Sequence, residues 1–423
     1  MALLAVGKIM GEHRRVVATG TGVVTCLGCD VETVWQNLLA GKSGIGPISK
    51  FDATDFRCRI AGEVQGFEIT DHLDPKEARR LDPFCHYAVG AADQAVAQAG
   101  LTDGGIDPAR AGILVGSGIG GVMTFQKQCS ILLERGPSKN SPLTVPMMIA
   151  DMASGFLSIR YGFQGPNMAI VTACATGTHS IGEAMWMILR GDADVMVAGG
   201  TEACIVPLGL TGFCAMKALS TRNDDPTHAS RPFDAERDGF VPSEGAGVVV
   251  LESLEHATKR GAPILAELTG YGLSGDAYHI TAPDPDGKGA TAAIRQALAH
   301  AQTGPEEIDY VNTHGTSTPL NDKTETRSLK DALGSHACNT PMSSTKSMIG
   351  HTLGAAGGIE SVCCIRSLQD GVVHGTMNYE HPDPECDLDY IPNEARRIDH
   401  KTALSVNLGF GGHNAALVFK KWE

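Results

Sequence analysis

Cys174 lies in the run Ala169-Ile170-Val171-Thr172-Ala173-Cys174-Ala175-Thr176-Gly177-Thr178. An apolar, β-branched stretch stops there at a thiol and gives way to small residues that open a helix, which is where a chain sets a nucleophile at a strand-to-helix elbow. Gly177 to Arg190 carries Ala, Met, Leu and Ile at helical spacing, and Gly191 stands at the position of a C-terminal cap. Unpaired N–H groups and the dipole at a helix N-terminus favour thiolate over thiol, so the sequence predicts a lowered pKa and a more nucleophilic sulfur at 174. The plainer alternative is packing: Cys174 is one of 12 cysteines, and a free Cys behaves as a small buried hydrophobe.

Two histidine motifs downstream weigh against that alternative. Tyr310-Val311-Asn312-Thr313-His314-Gly315-Thr316-Ser317-Thr318-Pro319 sets a His after a short apolar strand, in a turn of small hydroxylated residues. Ser343-Ser344-Thr345-Lys346-Ser347-Met348-Ile349-Gly350-His351 adds a Lys and a second His, followed by the small residues Gly354-Ala355-Ala356-Gly357-Gly358. A Cys with two His and a Lys is a nucleophile with proton-transfer and charge-stabilising partners. Most of the 15 histidines must be structural or exposed, and only the flanking motifs set these two apart.

The elements that must position these groups alternate between strand and helix. Strand-like runs are Arg15 to Thr19, Ile113 to Gly116, Met168 to Ala173, Asp194 to Ala198 and Gly247 to Leu251, interleaved with helical Glu32 to Ala40 and Cys85 to Ala99. After helical Leu254 to Arg260, a second series runs through Ile264 to Gly270 and Asp309 to Asn312 to the paired runs Val372 to Met377 and Ala403 to Phe419. No repeat is visible by eye. The organisation read from this is an N-terminal extension at 1–13, a half at 14–261 carrying the Cys, and a half at 262–423 carrying the two His.

Two motifs offer rival chemistries. Gly116-Ser117-Gly118-Ile119-Gly120-Gly121 fits G-x-G-x-x-G after a strand, as in dinucleotide-binding enzymes. That reading needs a second strand ending in an acidic residue ~20 positions on. Here helical Val122 to Glu134 runs instead into the loop Arg135-Gly136-Pro137-Ser138, so the glycines are expected to let backbone approach a ligand chain. Cys26-Leu27-Gly28-Cys29 is a C-x-x-C without a second pair, and Cys363-Cys364 are adjacent in a helix-like stretch, unsuited to chelating one ion. No metal site is assigned, and Cys26 and Cys29 are expected to pack.

From about Arg14 to Lys421 the chain resembles the type II β-ketoacyl-acyl-carrier-protein synthases, condensing enzymes of the thiolase fold. The likeness rests on the glycine loop at 116–121, Ala218-Leu219-Ser220-Thr221-Arg222-Asn223, Ser230-Arg231-Pro232-Phe233-Asp234, Arg237-Asp238-Gly239-Phe240, the two His motifs and Gly409-Phe410-Gly411-Gly412. Thiolases resemble a Cys-His-Cys arrangement and the initiating synthases of type III a Cys-His-Asn one, whereas this chain has Cys-His-His. The resemblance implies an α/β, duplicated, five-layered α-β-α-β-α fold. It implies an acylated nucleophile at Cys174, paired His314 and His351 as donors to the malonyl thioester oxygen, and electrostatic support from Lys346. It further implies an oxyanion hole from the N–H groups of Cys174 and Phe410, an acyl pocket at Ile119, Phe213 and Phe410, and pantetheine contacts at Thr316 and Thr318.

The same resemblance implies decarboxylative condensation with acyl carrier protein as partner, no cofactor beyond the carrier's phosphopantetheine, and a homodimer. Lys76, Arg79 and Arg80 lie at i, i+3 and i+4 and with Lys217 are the expected docking residues; an ordinary solvated helix face is the alternative. Asp322, Glu325 and Glu360 are expected to act structurally, the first two through salt bridges. The chain departs from the pattern at Leu408, where many relatives have an aromatic, at His413, and at Leu143-Thr144.

Composition suits such an enzyme. With 423 residues, 42% hydrophobic and 19% charged, the chain can bury a large core. A net charge of −14 disfavours nucleic acid. No apolar run approaches the ~20 residues of a membrane span, and residues 2–10 are too short and too weakly basic for an export signal. Scattered cysteines point to a reducing compartment, so a cytoplasmic location is expected.

Overall fold

The computed structural model describes residues 14–102 and 105–423; the N-terminal extension assigned to 1–13 lies outside them. Its largest sheet has nine strands among the described residues: β1 (Val16–Val24), β2 (Ala111–Gly116), β3 (Val195–Glu202), β4 (Gly245–Ser253), β5 (Ala266–Gly275), β6 (Tyr310–Asn312), β7 (Met342–Ser343), β8 (Thr402–Gly409) and β9 (His413–Lys421). They run in the order β2-β3-β4-β1-β5-β9-β8-β6-β7.

Leaving aside the edge strand β7, which lies parallel to β6, that order is a palindrome of two equivalent halves. In the first, β2 lies parallel to β3, β3 antiparallel to β4, and β4 antiparallel to β1. In the second, β6 lies parallel to β8, β8 antiparallel to β9, and β9 antiparallel to β5. The halves meet where β1 pairs with β5 over three residues, Val16 to Ala18. The duplication invisible in the sequence is thus plain in the pairing.

Helices complete five layers. Helix α1 (Pro83–Gln98) covers one outer face, packed on β1, β3 and β4. Helices α2 (Thr176–Arg190) and α5 (Ala356–Asp370) lie against each other between the half-sheets. Helices α3 (Lys288–His300) and α4 (Pro319–Leu333) form the other outer layer. The central pair is the most buried: Ile181 and Ile188 of α2 share a core with Val362 and Ile365 of α5. Its close approach depends on missing side chains, since a Cβ on Gly177 would sit 2.6 Å from the Gly358 nitrogen.

The two central helices begin alike. Each follows a single 3₁₀ turn, Ala173–Ala175 before α2 and Leu353–Ala355 before α5. Each turn opens on a left-handed residue, Ala173 at φ 49° and Leu353 at φ 48°. Each helix ends on a left-handed glycine, Gly191 and Gly371. Cys174 and the turn after His351 therefore occupy equivalent places in the two halves.

Two strand expectations need correction. Met168 to Ala173 is not a ladder strand; only Asn167 bridges to Ile113. Met168 and Val171 are 46% and 53% exposed, so their β-branched and apolar character marks an uncovered edge and not a buried strand. Val372 to Met377 does not pair with Ala403 to Phe419: Val372–Val373 forms a separate two-residue ribbon with Arg396–Arg397, while 402–421 folds back on itself as the hairpin β8–β9.

Candidate active site

Cys174 sits in the 3₁₀ turn ahead of α2, 6% exposed. Its Sγ lies 3.0 Å from His351 Nε2. The Leu353 N–H reaches His351 Nδ1 at 3.3 Å, so Nδ1 accepts and the ring proton resides on Nε2, facing the sulfur. The rings of His314 and His351 stand edge to face at 5.3 Å. The three residues that the sequence separates by up to 177 positions are therefore in one place.

Lys346 is 1% exposed and forms an ion pair with Glu360, which also accepts from the Asn407 side chain. Glu360 is thus the counter-charge that keeps an ammonium inside the core, because an unpaired buried charge is strongly unfavourable. Asp322 is paired as expected, 3.6 Å from Arg237. Glu325 is not: it has no salt bridge among the described residues, and its two oxygens accept the backbone N–H groups of His314 at 2.6 Å and Gly315 at 2.8 Å. It fixes the loop that carries His314, leaving the ring's Nδ1 without a partner among the described residues.

The predicted lowering of the thiol pKa does not occur. Burial pushes Cys174 up to about 12, against the opposing pull of Lys346 and of the Phe410 and Cys174 backbone N–H groups. A helix terminus contributes at most ~2 kcal/mol, or roughly 1.5 pKa units. Full burial shifts a pKa by up to ~3–5 units, so desolvation prevails and the resting group is a thiol. Burial, with the nearby charge of Lys346, likewise holds His314 and His351 well below the usual histidine range, and both rings are neutral.

Phe410 rides on the β8–β9 turn, which needs left-handed Gly411 and Gly412 at φ 85° and 75°. The turn is tied at its tip by Gly411 N–H to the Ile280 carbonyl at 2.8 Å. A cavity of about 720 Å³ leads to the cluster. Cys174, His314, His351, Ile119, Phe213, Phe410, Thr316, Thr318, Lys217 and Leu408 all line it. Lys346 stands behind the wall. Lys76, Arg79 and Arg80 do not line it, and their shared helical face is curtailed: the helix is a single turn, Pro75–Ala78, with Arg79 as its cap. Asp74 and Pro75 start that helix, and extended Asp82 before Pro83 of the next helix leaves it no room to continue.

The glycine loop also differs from expectation. Of its glycines only Gly118 lines the cavity. Gly116, Gly120 and Gly121 instead admit the backbone of Ile170, Met148 and Met147. The residue that organises the loop, Glu202, went unread in the sequence, although an acidic residue closing a buried strand (Val195–Glu202) was a visible signal. Cys26 and Cys29 turn apart, to the carbonyls of Ile349 and Gln65.

Residues 13–257 match the family model for the β-ketoacyl synthase N-terminal domain, and 265–380 that for the C-terminal domain. A 3-oxoacyl-[acyl-carrier-protein] synthase 2 of Synechocystis sp. is 53% identical, covering 97% of this chain and 99% of that protein. One from Staphylococcus aureus strain N315 is 51% identical, with 98% and 100% covered. Among solved structures, a β-ketoacyl synthase from Burkholderia phymatum is 34% identical at a TM-score of 0.89, covering 97% of this chain and 100% of that one. A type II polyketide ketosynthase in complex with its acyl-carrier protein is 36% identical at 0.90, with the same coverage.

Proposed function

The chain belongs to the β-ketoacyl synthase family, and from that premise we propose which of its residues perform each step. The reaction is the decarboxylative condensation of malonyl-acyl carrier protein with an acyl-carrier-protein primer, giving a 3-oxoacyl chain two carbons longer. The Cys174 sulfur attacks the primer thioester; the carrier's pantetheine sulfur leaves and takes the thiol proton, and the acyl group remains on Cys174. His351 Nε2–H, aimed at that sulfur, steadies the negative charge it acquires as the proton departs.

Malonyl carrier protein follows. Its carboxylate leaves as carbon dioxide, and the electrons of the broken C–C bond become an enolate whose oxygen accepts from His314 and His351. Neutral rings serve this best, because they donate without first surrendering a proton. The enolate carbon attacks the Cys174 thioester, and the tetrahedral oxyanion is held by the N–H groups of Cys174 and Phe410. Its collapse breaks the C–S bond, and the freed thiolate takes up a proton from water. Burial keeps both histidines neutral, and the charge of Lys346, held by Glu360, adds to that effect.

Ile119, Phe213 and Phe410 receive the primer chain, and Thr316 and Thr318, whose hydroxyls lie 3.0 Å apart, receive the pantetheine. Lys217 at the cavity mouth and the exposed Lys76, Arg79 and Arg80 attract the acidic carrier. No cofactor is required, and the protein works in the cytoplasm as a homodimer. Support for the dimer is the uncovered apolar edge of Met168 and Val171, with Val145 at 60% exposure; sedimentation at a single mass of one chain rejects it. The halves divide at Gly261, which ends the helix Leu254–Arg260.

The observation that carries the reading is the 3.0 Å contact between Cys174 and His351 at the cavity wall. Its test is intact-protein mass spectrometry after incubation with acyl carrier protein substrates. An acyl adduct at Cys174, discharged by malonyl carrier protein to a product two carbons longer, is expected. No adduct, or one on another cysteine, overturns it. The range of carriers and primers accepted separates bulk fatty-acid elongation from service to a specialised lipid or polyketide.

A further inference from the structure

Glu202 closes β3 with its carboxylate wholly buried. Its Oε1 accepts the Ser117 hydroxyl at 2.8 Å and the Ile119 N–H at 3.2 Å. Its Oε2 accepts the Gly118 N–H at 2.9 Å and the Gly354 N–H at 3.1 Å. Four donors fill a carboxylate's acceptor positions without any cation. The fit leaves no room: a Cβ on Gly118 would stand 2.8 Å from Oε2, and one on Gly354 would stand 2.9 Å from the same oxygen and 2.4 Å from the Gly118 nitrogen.

The two arms of this carboxylate reach different parts of the site. One holds the loop bearing Ile119, which lines the cavity. The other holds the turn Leu353–Gly354, whose Leu353 N–H fixes His351 Nδ1 and so turns Nε2 toward Cys174. We propose that Glu202 is a positioning residue that couples the primer pocket to the catalytic pair, so that the length of the primer displacing Ile119 is felt at His351. This rests on the reading of Ile119 as an acyl-pocket residue. A chain that pushes the loop outward pulls on the carboxylate, and a carboxylate shared with Gly354 cannot move without shifting the turn that orients the imidazole. Groups sharing one partner in this way are energetically coupled.

Full-length E202Q and S117A test it. Glutamine keeps one oxygen for two of the donors and opposes the other two with an NH₂ group; S117A removes one donor from the loop arm, together with the hydroxyl that accepts the Gly120 N–H at 2.9 Å. The readouts are the rate of acyl addition to Cys174 from short and long saturated primers on acyl carrier protein, and carbon dioxide release from malonyl carrier protein. E202Q is expected to change the ratio of long- to short-primer acylation by about fivefold or more and to slow carbon dioxide release by about tenfold. S117A moves the ratio in the same direction by less. A ratio equal to that of the wild type, with all primers slowed alike, reduces Glu202 to a structural support and overturns the proposal, as does an altered ratio with carbon dioxide release untouched. If E202Q is insoluble, an unchanged ratio in S117A overturns it alone. Wild-type protein that gains no acyl mass overturns the proposed function itself.

Discussion

The carboxylate of Glu325 receives the backbone N–H of His314 at 2.6 Å, so the loop that presents one imidazole is anchored by a side chain from helix α4. The second oxygen takes the Gly315 N–H at 2.8 Å. E325Q leaves one of these N–H groups facing an NH₂, and an unsatisfied buried donor costs about 1–3 kcal/mol. The expected outcome is a lower melting temperature, with carbon dioxide release from malonyl carrier protein reduced more than acylation of Cys174. Equal loss of both steps removes the link to His314.

Glu325 also has a pH signature. Burial pushes its carboxyl up to about 8, whereas in the unfolded chain it titrates near ~4.3. The folded state therefore holds an extra proton between those values. The corresponding stability is full below ~4.3 and is lost as pH rises through about 8. Glutamine has no such titration, so the margin of wild type over E325Q in melting temperature shrinks from acid to mildly alkaline buffer. A margin that widens contradicts the assignment.

At the nucleophile, C174A abolishes both acyl-enzyme formation and condensation while the protein stays folded, because Ala fits the turn. Wild-type Cys174, raised to about 12 by burial, stays protonated through neutral pH. Its alkylation by a neutral reagent, followed by mass mapping of that peptide, is expected to keep accelerating above the usual thiol value of ~8.5. A plateau at or below that value says the helix terminus outweighs burial.

This contrast marks where the sequence was legible. Residue types and their order disclosed the elbow at Cys174, the two His turns and the alternation of strand and helix, because each leaves a local pattern. The depth of the site did not show, and depth decides the protonation state of Cys174. Nor did partners far apart in the chain: Lys346 finds Glu360 within one motif region, yet Glu202 meets Gly354 across 152 positions. The run Met168 to Ala173 misled for the same reason, since its composition is that of a covered strand while Met168 and Val171 are 46% and 53% exposed. Lys76, Arg79 and Arg80 share a spacing that implies a helix face, but the helix stops at Ala78, and Pro83, which opens the next helix, holds Asp82 in extended backbone.

For the histidines, burial holds both rings well below the usual range. They remain neutral donors on acidification through ~6.5, so carbon dioxide release shows no inflection there. H314A and H351A each lose about 10²–10³ in that rate while retaining some acylation. A sharp fall in wild-type decarboxylation near ~6.5, or wild-type rates in both variants, rejects their role as neutral donors.

Docking is expected to depend on local charge, because the enzyme carries −14 overall and the carrier protein proposed as its partner is acidic. Lys76, Arg79 and Arg80 are exposed, and Lys217 lies at the cavity mouth. Reversing charge at Arg79 and Arg80 together raises KM for carrier-bound substrates, more at low salt than at high, since exposed charges are screened within ~10 Å at 0.1 M salt. Unchanged KM at low salt assigns these residues to an ordinary solvated turn.

Ile119, 41% exposed and facing the cavity, distinguishes a pocket from a core by the consequence of enlarging it. In a packed core, I119F inserts a ring among fixed neighbours and costs ~1–3 kcal/mol of stability with no effect on selectivity. At a cavity wall the ring projects into open volume, so stability holds and the space left for a primer shortens. Long primers then fail to acylate Cys174 while short ones continue to react. Steady-state rates across a primer series, read beside a melting curve, separate the two outcomes: a destabilised protein with the wild-type length profile places Ile119 in the core.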